Sequence, residues 1–129
     1  MDTTQLKRIP LFADADDEEL KKVAAFAQAK EVAEGTELVS EGGFSRELFA
    51  IEDGSAEVSR DGEVIAKLGP GDVFGEAGML DDDMRTATVT ATSRLKLISM
   101  GHFEVKRLKK DAPEVYAKIE ELVEERKGG

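Results

Sequence analysis

AEVSRDGEVIAKL, residues 56–68, decides the fold class. Ala56, Val58 and Arg60 alternate with Glu57 and Ser59, Asp61-Gly62 interrupts, and Val64, Ala66 and Leu68 resume the alternation. A two-residue period sends every second side chain to one face of a strand, and Asp-Gly suits the positive-φ positions of a tight hairpin turn. The spacing predicts a β-hairpin. Working outward, from Glu31 onward short segments rich in Val, Ile, Leu and Thr are separated by Gly35, Gly42, Gly43, Gly54, Gly62, Gly69 and Gly71. That is the punctuation of strands and turns. Further strands are expected near residues 37–40, 47–52, 86–92 and 94–99, with Gly69-Pro70-Gly71-Asp72 as a tight turn. Six or more short strands within about 70 residues imply a sandwich or barrel.

Helical spacing flanks this region. The acidic run Asp14–Glu19 leads into Leu20, Val23, Ala24, Phe26 and Ala27, with the acids at the positive end of the helix dipole. After Gly101, Phe103, Val105 and Leu108 suggest one short helix; Pro113, well suited to a first turn, opens another. Val115, Tyr116, Ile119, Leu122 and Val123 form the apolar stripe of that last helix, opposite a charged face. With 129 residues the chain is expected to be one domain: helical over 1–30, a β-barrel over 31–100 and C-terminal helices over 101–127. The class is mainly β with flanking helices, a barrel or jelly roll.

Composition removes several functions. There is no Cys and a single His, which excludes thiolate metal sites, thiol nucleophiles and multi-histidine metal centres. A formal charge of −10 opposes the phosphate backbone of nucleic acid, so no nucleic-acid partner is expected. No stretch approaches the length of a membrane span, and MDTTQLKRIPLF lacks the apolar core of a signal peptide. A cytoplasmic setting is the expectation.

The chemistry is concentrated in GPGDVFGEAGMLDDDMRTATVTA, residues 69–91, where Gly75, Glu76, Ala77, Gly78, Met79 and Leu80 interrupt two strands. A dinucleotide fingerprint fails because the third glycine, Gly75, comes one residue late, and no Gly-Lys-Ser/Thr of a nucleotide-triphosphate loop is present. What remains is a glycine-bearing helical turn with free N–H groups, followed by Arg85 and Thr86. Backbone donors, a guanidinium and a hydroxyl at one point suit a phosphate.

This stretch resembles the phosphate-binding cassette of cyclic-nucleotide-binding domains. Phe74-Gly75-Glu76 followed by Arg85-Thr86-Ala87-Thr88 carries the resemblance, and Gly35, Glu41-Gly42, Leu48-Phe49, Gly54, Gly62 and Leu68-Gly69-Pro70-Gly71 extend it over nearly the whole chain. The resemblance implies a regulatory, non-enzymatic module whose ligand is cAMP or cGMP, with no other cofactor. It implies that Arg85 pairs with the exocyclic phosphate oxygens and Glu76 accepts the ribose 2′-hydroxyl. By the same resemblance the N–H groups of Gly75 and Gly78 and the Thr86 hydroxyl would complete the cradle, within a binding segment that includes Phe74, Ala77 and Ala87. The chemistry agrees: a guanidinium offers a fork of donors and a carboxylate accepts only.

Two positions depart from the family pattern: Asp82 stands where Gly is frequent, and Met84 where Pro is frequent. If the Asp81–Asp83 tip points outward, its charges are screened; if it turns inward, Asp83 competes for Arg85. Two functions therefore stay open, a cyclic-nucleotide-binding regulator and an interaction domain that kept the fold without the ligand. No metal is expected, since Asp81–Asp83 lacks EF-hand spacing, and no catalytic residue, since His102 has no acid or nucleophile partner. Tyr116 reads either as core or interface, or as a lid stacking on the purine. The stripe of the last helix must be buried on the barrel, over the ligand, or against a second copy or an effector protein.

Overall fold

The computed structural model describes residues 3–39, 47–74 and 87–128. Helix α1 (Thr3–Lys7), a 3₁₀ turn (Pro10–Phe12) and α2 (Asp17–Phe26) come first. Eight strands follow: β1 (Gln28–Val32), β2 (Glu37–Val39), β3 (Glu47–Asp53), β4 (Ala56–Arg60), β5 (Glu63–Leu68), β6 (Val73–Phe74), β7 (Thr88–Ala91) and β8 (Leu95–Gly101). Helices α3 (His102–Asp111) and α4 (Pro113–Gly128) close the chain.

The strands form two four-stranded antiparallel sheets, β1-β8-β3-β6 and β2-β7-β4-β5. Among the described residues no ladder joins them, and the arrangement is the two-sheet jelly roll that was among the expectations. Phe49, Ile51, Leu95 and Leu97 of the first sheet pack with Val58, Val89 and Ala91 of the second. The first sheet is buried on its other face too: Leu48, Ala50, Ile98 and Met100 meet Leu6, Ile9, Phe12, Leu20 and Val23 of the helical layer. This double burial explains why β3 and β8 read as near-continuous apolar runs. The second sheet covers only one face, and β4 alternates accordingly.

The hairpin β4–β5 is present, with Asp61 at φ 54° and Gly62 at φ 80°. Two successive positive φ values make a type I′ turn, whose twist matches the flanking strands. The expected alternation fails at one point. Val58 pairs with Ala66 but Ser59 pairs with Val64, so Ile65 is an extra residue on the edge strand. Such a bulge flips the facing beyond it, and Val64 and Ile65 are both 49% exposed while Leu68 stays buried.

Three other expectations are corrected. Strand β1 starts at Gln28, inside the span expected to be helical; QAKEV has no apolar alternation and becomes a strand by pairing along β8. The N-terminal region holds α1 and the 3₁₀ turn besides α2, and Leu6, Ile9, Leu11 and Phe12 are core residues. In α3, Val105 and Leu108 are buried but Phe103 is 71% exposed, because the helical layer covers only one side of that helix. The acidic start of α2 is as expected. Asp16 caps it, accepting from the N–H groups of Glu18 at 2.7 Å and Glu19 at 3.4 Å. Asp17 pairs with Lys7 at 2.8 Å, and the hydrogen bond from Lys7 holds its carboxyl below the usual range.

Candidate functional site

The described residues nearest the candidate site in sequence are the turn and strand that precede it and the strand that follows it. Its approach is the Gly69–Asp72 turn, in which the Asp72 N–H donates to the Gly69 carbonyl at 3.0 Å and the Asp72 carboxylate accepts the Gly69 N–H at 2.8 Å. Pro70 and Gly71, the latter at φ 94°, occupy the central positions of a type II turn. Gly71 is required twice over. Its φ suits glycine, and a Cβ there would lie 3.2 Å from Pro10 Cβ. Gly71 N–H donates to the Ile51 carbonyl at 3.1 Å and Ile51 N–H to the Asp72 carbonyl at 3.0 Å, which ties the turn to β3 and aims β6 along it.

Strand β6 is only two residues long, and its two side chains go to different cores. Val73 joins the helical cluster; Phe74 points between the sheets, fully buried. Phe74 pairs with Phe49 across β3–β6, and the two rings stack at 5.1 Å and 24°. Lys30 reaches over the Phe49 ring, 5.6 Å from its centroid, and its Nζ donates to Glu47 at 3.1 and 3.3 Å. The chain rejoins the described structure at Ala87, buried in the same inter-sheet cluster as Phe74, and β7 then pairs with β2 and β4. The residues that flank 75–86, Phe74 at the end of β6 and Ala87 directly before β7, thus lie in one apolar core. Gly75, Glu76, Ala77, Gly78, Arg85 and Thr86, with the acidic tip Asp81–Asp83 and Met84, lie outside the described residues.

Tyr116 sits elsewhere. It is half-buried and packs against the helical cluster, not against the cluster of Phe74 and Ala87. Burial, with the carboxylate of Glu120 one turn on, pushes its phenol above the ordinary range. Its neighbours on the stripe, Val115 and Ile119, are buried in the same cluster. That part of the stripe is used within the chain. His102 begins α3. Among the described residues no three His, Asp or Glu side chains are grouped to hold a metal ion, and no helix is long and apolar enough to cross a membrane.

One contact was not legible in the sequence. Glu19 of α2 accepts the N–H groups of Glu114 at 3.1 Å and Val115 at 3.3 Å with one carboxylate oxygen, and so caps α4 from 95 positions away. Nothing local signals it, because the cap of a helix is normally sought just before its first turn.

Comparison with known proteins bears directly on this arrangement. The family model described as a cyclic nucleotide-binding domain matches residues 29–111. The chain is 38% identical over 105 residues to a cAMP-dependent protein kinase regulatory subunit of Yarrowia lipolytica, covering 80% of this chain and 28% of that one. It spans about a quarter of the length of the curated regulatory subunits it matches. Among solved structures, cAMP-bound PfPKA-R superposes with a TM-score of 0.78 at 27% identity, over 98% of this chain and 44% of that one. The catabolite activator protein of Thermus thermophilus gives 0.76 at 25% identity, over 91% and 57%.

Proposed function

The chain belongs to the cyclic nucleotide-binding domain family, and from that premise we propose that it is a regulatory module that binds cAMP through residues 74–87 and signals through its C-terminal helix. The observation that carries this reading is the burial of Phe74 and Ala87, the residues that flank 75–86 in sequence, in one core between the sheets. In this reading Arg85 takes the exocyclic phosphate oxygens, Glu76 the ribose 2′-hydroxyl, and the N–H groups of Gly75 and Gly78 with the Thr86 hydroxyl complete the cradle. Phe74, Ala77 and Ala87 set the position of that cradle. The module is not an enzyme, needs no metal, and works in the cytoplasm on an effector protein or a second chain that engages α4. cAMP is preferred over cGMP; its support is that the similar kinase subunits are cAMP-dependent and a similar structure is cAMP-bound.

Calorimetric titration with cAMP, cGMP and 5′-AMP tests this. We expect one saturable site, tightest for cAMP and weakest for the non-cyclic nucleotide. A tighter cGMP isotherm reverses the base preference. No heat and no thermal shift with any of the three would leave the second reading, a binding fold turned interaction domain, which the Asp81–Asp83 tip and Met84 motivate.

The lid role of Tyr116 has its own test. Truncating α4 is unsuitable, since Ala112, Val115 and Ile119 belong to the core. Tyr116→Ala is expected to weaken cAMP binding by roughly 1 to 1.5 kcal/mol, about five- to tenfold, the worth of one aromatic stack. Tyr116→Phe keeps the ring and should bind like the parent chain. Equal affinity of Tyr116→Ala and parent would remove Tyr116 from the ligand.

A further inference from the structure

Helix α4 starts without a cap of its own. Ala112 ends α3, its N–H donating to the Leu108 carbonyl at 2.8 Å, and also begins α4, its carbonyl accepting from the Tyr116 N–H at 3.0 Å. An alanine side chain accepts nothing, and Pro113 has no N–H. The first turn of α4 is left with two donors lacking a partner inside the helix, Glu114 and Val115, and Glu19 Oε1 takes both. The carboxylate also sits at the positive end of the α4 dipole. Around this junction the start of α4 lies beside Pro10, Leu11, Asp14 and Ala15, in a cleft of about 170 Å³ also edged by Lys118.

The same docking holds Tyr116 on the helical layer. We infer that Glu19 is a positioning residue for nucleotide binding: its cap on Glu114 and Val115 holds α4 in the docked arrangement and opposes the arrangement in which Tyr116 covers the ligand. This rests on the nucleotide-binding reading above and adds its control. Val115 and Ile119 supply apolar docking, but apolar burial is non-directional; the two hydrogen bonds fix how α4 leaves Ala112. Apparent affinity is reduced by the fraction of molecules outside the binding-competent state. Removing the cap therefore tightens binding, by as much as it lowers the docked population.

The test uses the full chain with Glu19→Ala and Glu19→Gln, each also combined with Tyr116→Ala. Glu19→Ala is expected to bind cAMP about fivefold tighter, within the range that loss of a helix cap allows. Glu19→Gln keeps an acceptor oxygen and should return affinity toward the parent value. In the Tyr116→Ala background the gain should vanish, because α4 then carries no ring to the ligand. Unchanged or weaker binding by Glu19→Ala, or an equal gain without Tyr116, overturns the inference. Hydrogen exchange without nucleotide separates it from the binding reading: the amides of Glu114 and Val115 should exchange about tenfold faster in Glu19→Ala, and amides of β3 and β8 at the parent rate. Absence of cAMP binding by the parent chain defeats the binding reading and the control derived from it; unaltered exchange at those two amides defeats the cap alone. If Glu19→Ala does not fold, Glu19→Asp, one methylene too short for the same reach, takes its place with the same expected outcomes.

Discussion

Arg85→Ala is expected to weaken cAMP binding by about 3 to 4 kcal/mol, roughly 10²- to 10³-fold, measured by calorimetric titration at fixed salt. A guanidinium and a phosphate form charge-assisted, bidentate hydrogen bonds, and deleting one partner leaves the other desolvated without its counter-charge. Arg85→Lys keeps the charge and loses the fork, so it should recover only part of the loss. Stability of the unliganded variants is expected to match the parent, since the effect belongs to the ligand. Equal affinity of Arg85→Ala and parent would separate this residue from the phosphate. Arg85 stands next to Asp83 in sequence but for Met84, and Asp83→Asn distinguishes the two readings of the tip. Tighter binding by Asp83→Asn means an inward carboxylate competing for Arg85; unchanged binding means an outward, screened one.

Phe74→Ala is expected to cost about 3 to 5 kcal/mol of unfolding free energy, because it removes a fully buried ring and leaves a cavity between the two sheets. The stack with Phe49 at 5.1 Å is lost with it. For a domain of this size the melting temperature should fall by roughly 10 to 20 °C. Phe74→Leu, which keeps most of the apolar volume, should cost roughly 1 to 2 kcal/mol. Denaturant titration without nucleotide measures this, and the same titration with saturating cAMP adds the stabilisation due to ligand. Because Phe74 ends β6 directly before Gly75, the variant should also bind cAMP less tightly under conditions where it remains folded. A Phe74→Ala chain as stable as the parent would mean that the ring does not hold the two sheets together at this seam.

The sequence carried the hairpin and the Gly69–Asp72 turn for one reason, that each is contiguous, and the motif that carries the family resemblance is contiguous too. Asp61-Gly62 between alternating segments specifies its turn from two residues, and Phe74-Gly75-Glu76 with Arg85-Thr86-Ala87-Thr88 keeps its spacing whatever surrounds it. The acidic start of α2 was legible in the same way, since Asp16 caps the N–H groups of residues two and three positions ahead. A resemblance over this much of the chain then named the family, and the comparisons agree with it. Strand β1 was not legible, since QAKEV becomes a strand only by lying along β8.

Tertiary structure alone decided the rest. The bulge at Ile65 turns Val64 outward although its local pattern says inward, because the partner strand sets the register. Phe103 is exposed and Leu6 and Ile9 are buried although all are apolar, because burial follows where the helical layer meets the first sheet. The α4 stripe had three places to go, and the described part of it went to the helical core. Glu19 caps α4 across 95 positions because two helices distant in sequence were brought together by apolar burial, which has no direction, and were then oriented by hydrogen bonds, which do. Short-range turn and cap chemistry is written in neighbouring residues, whereas which faces meet depends on the packing of the whole chain.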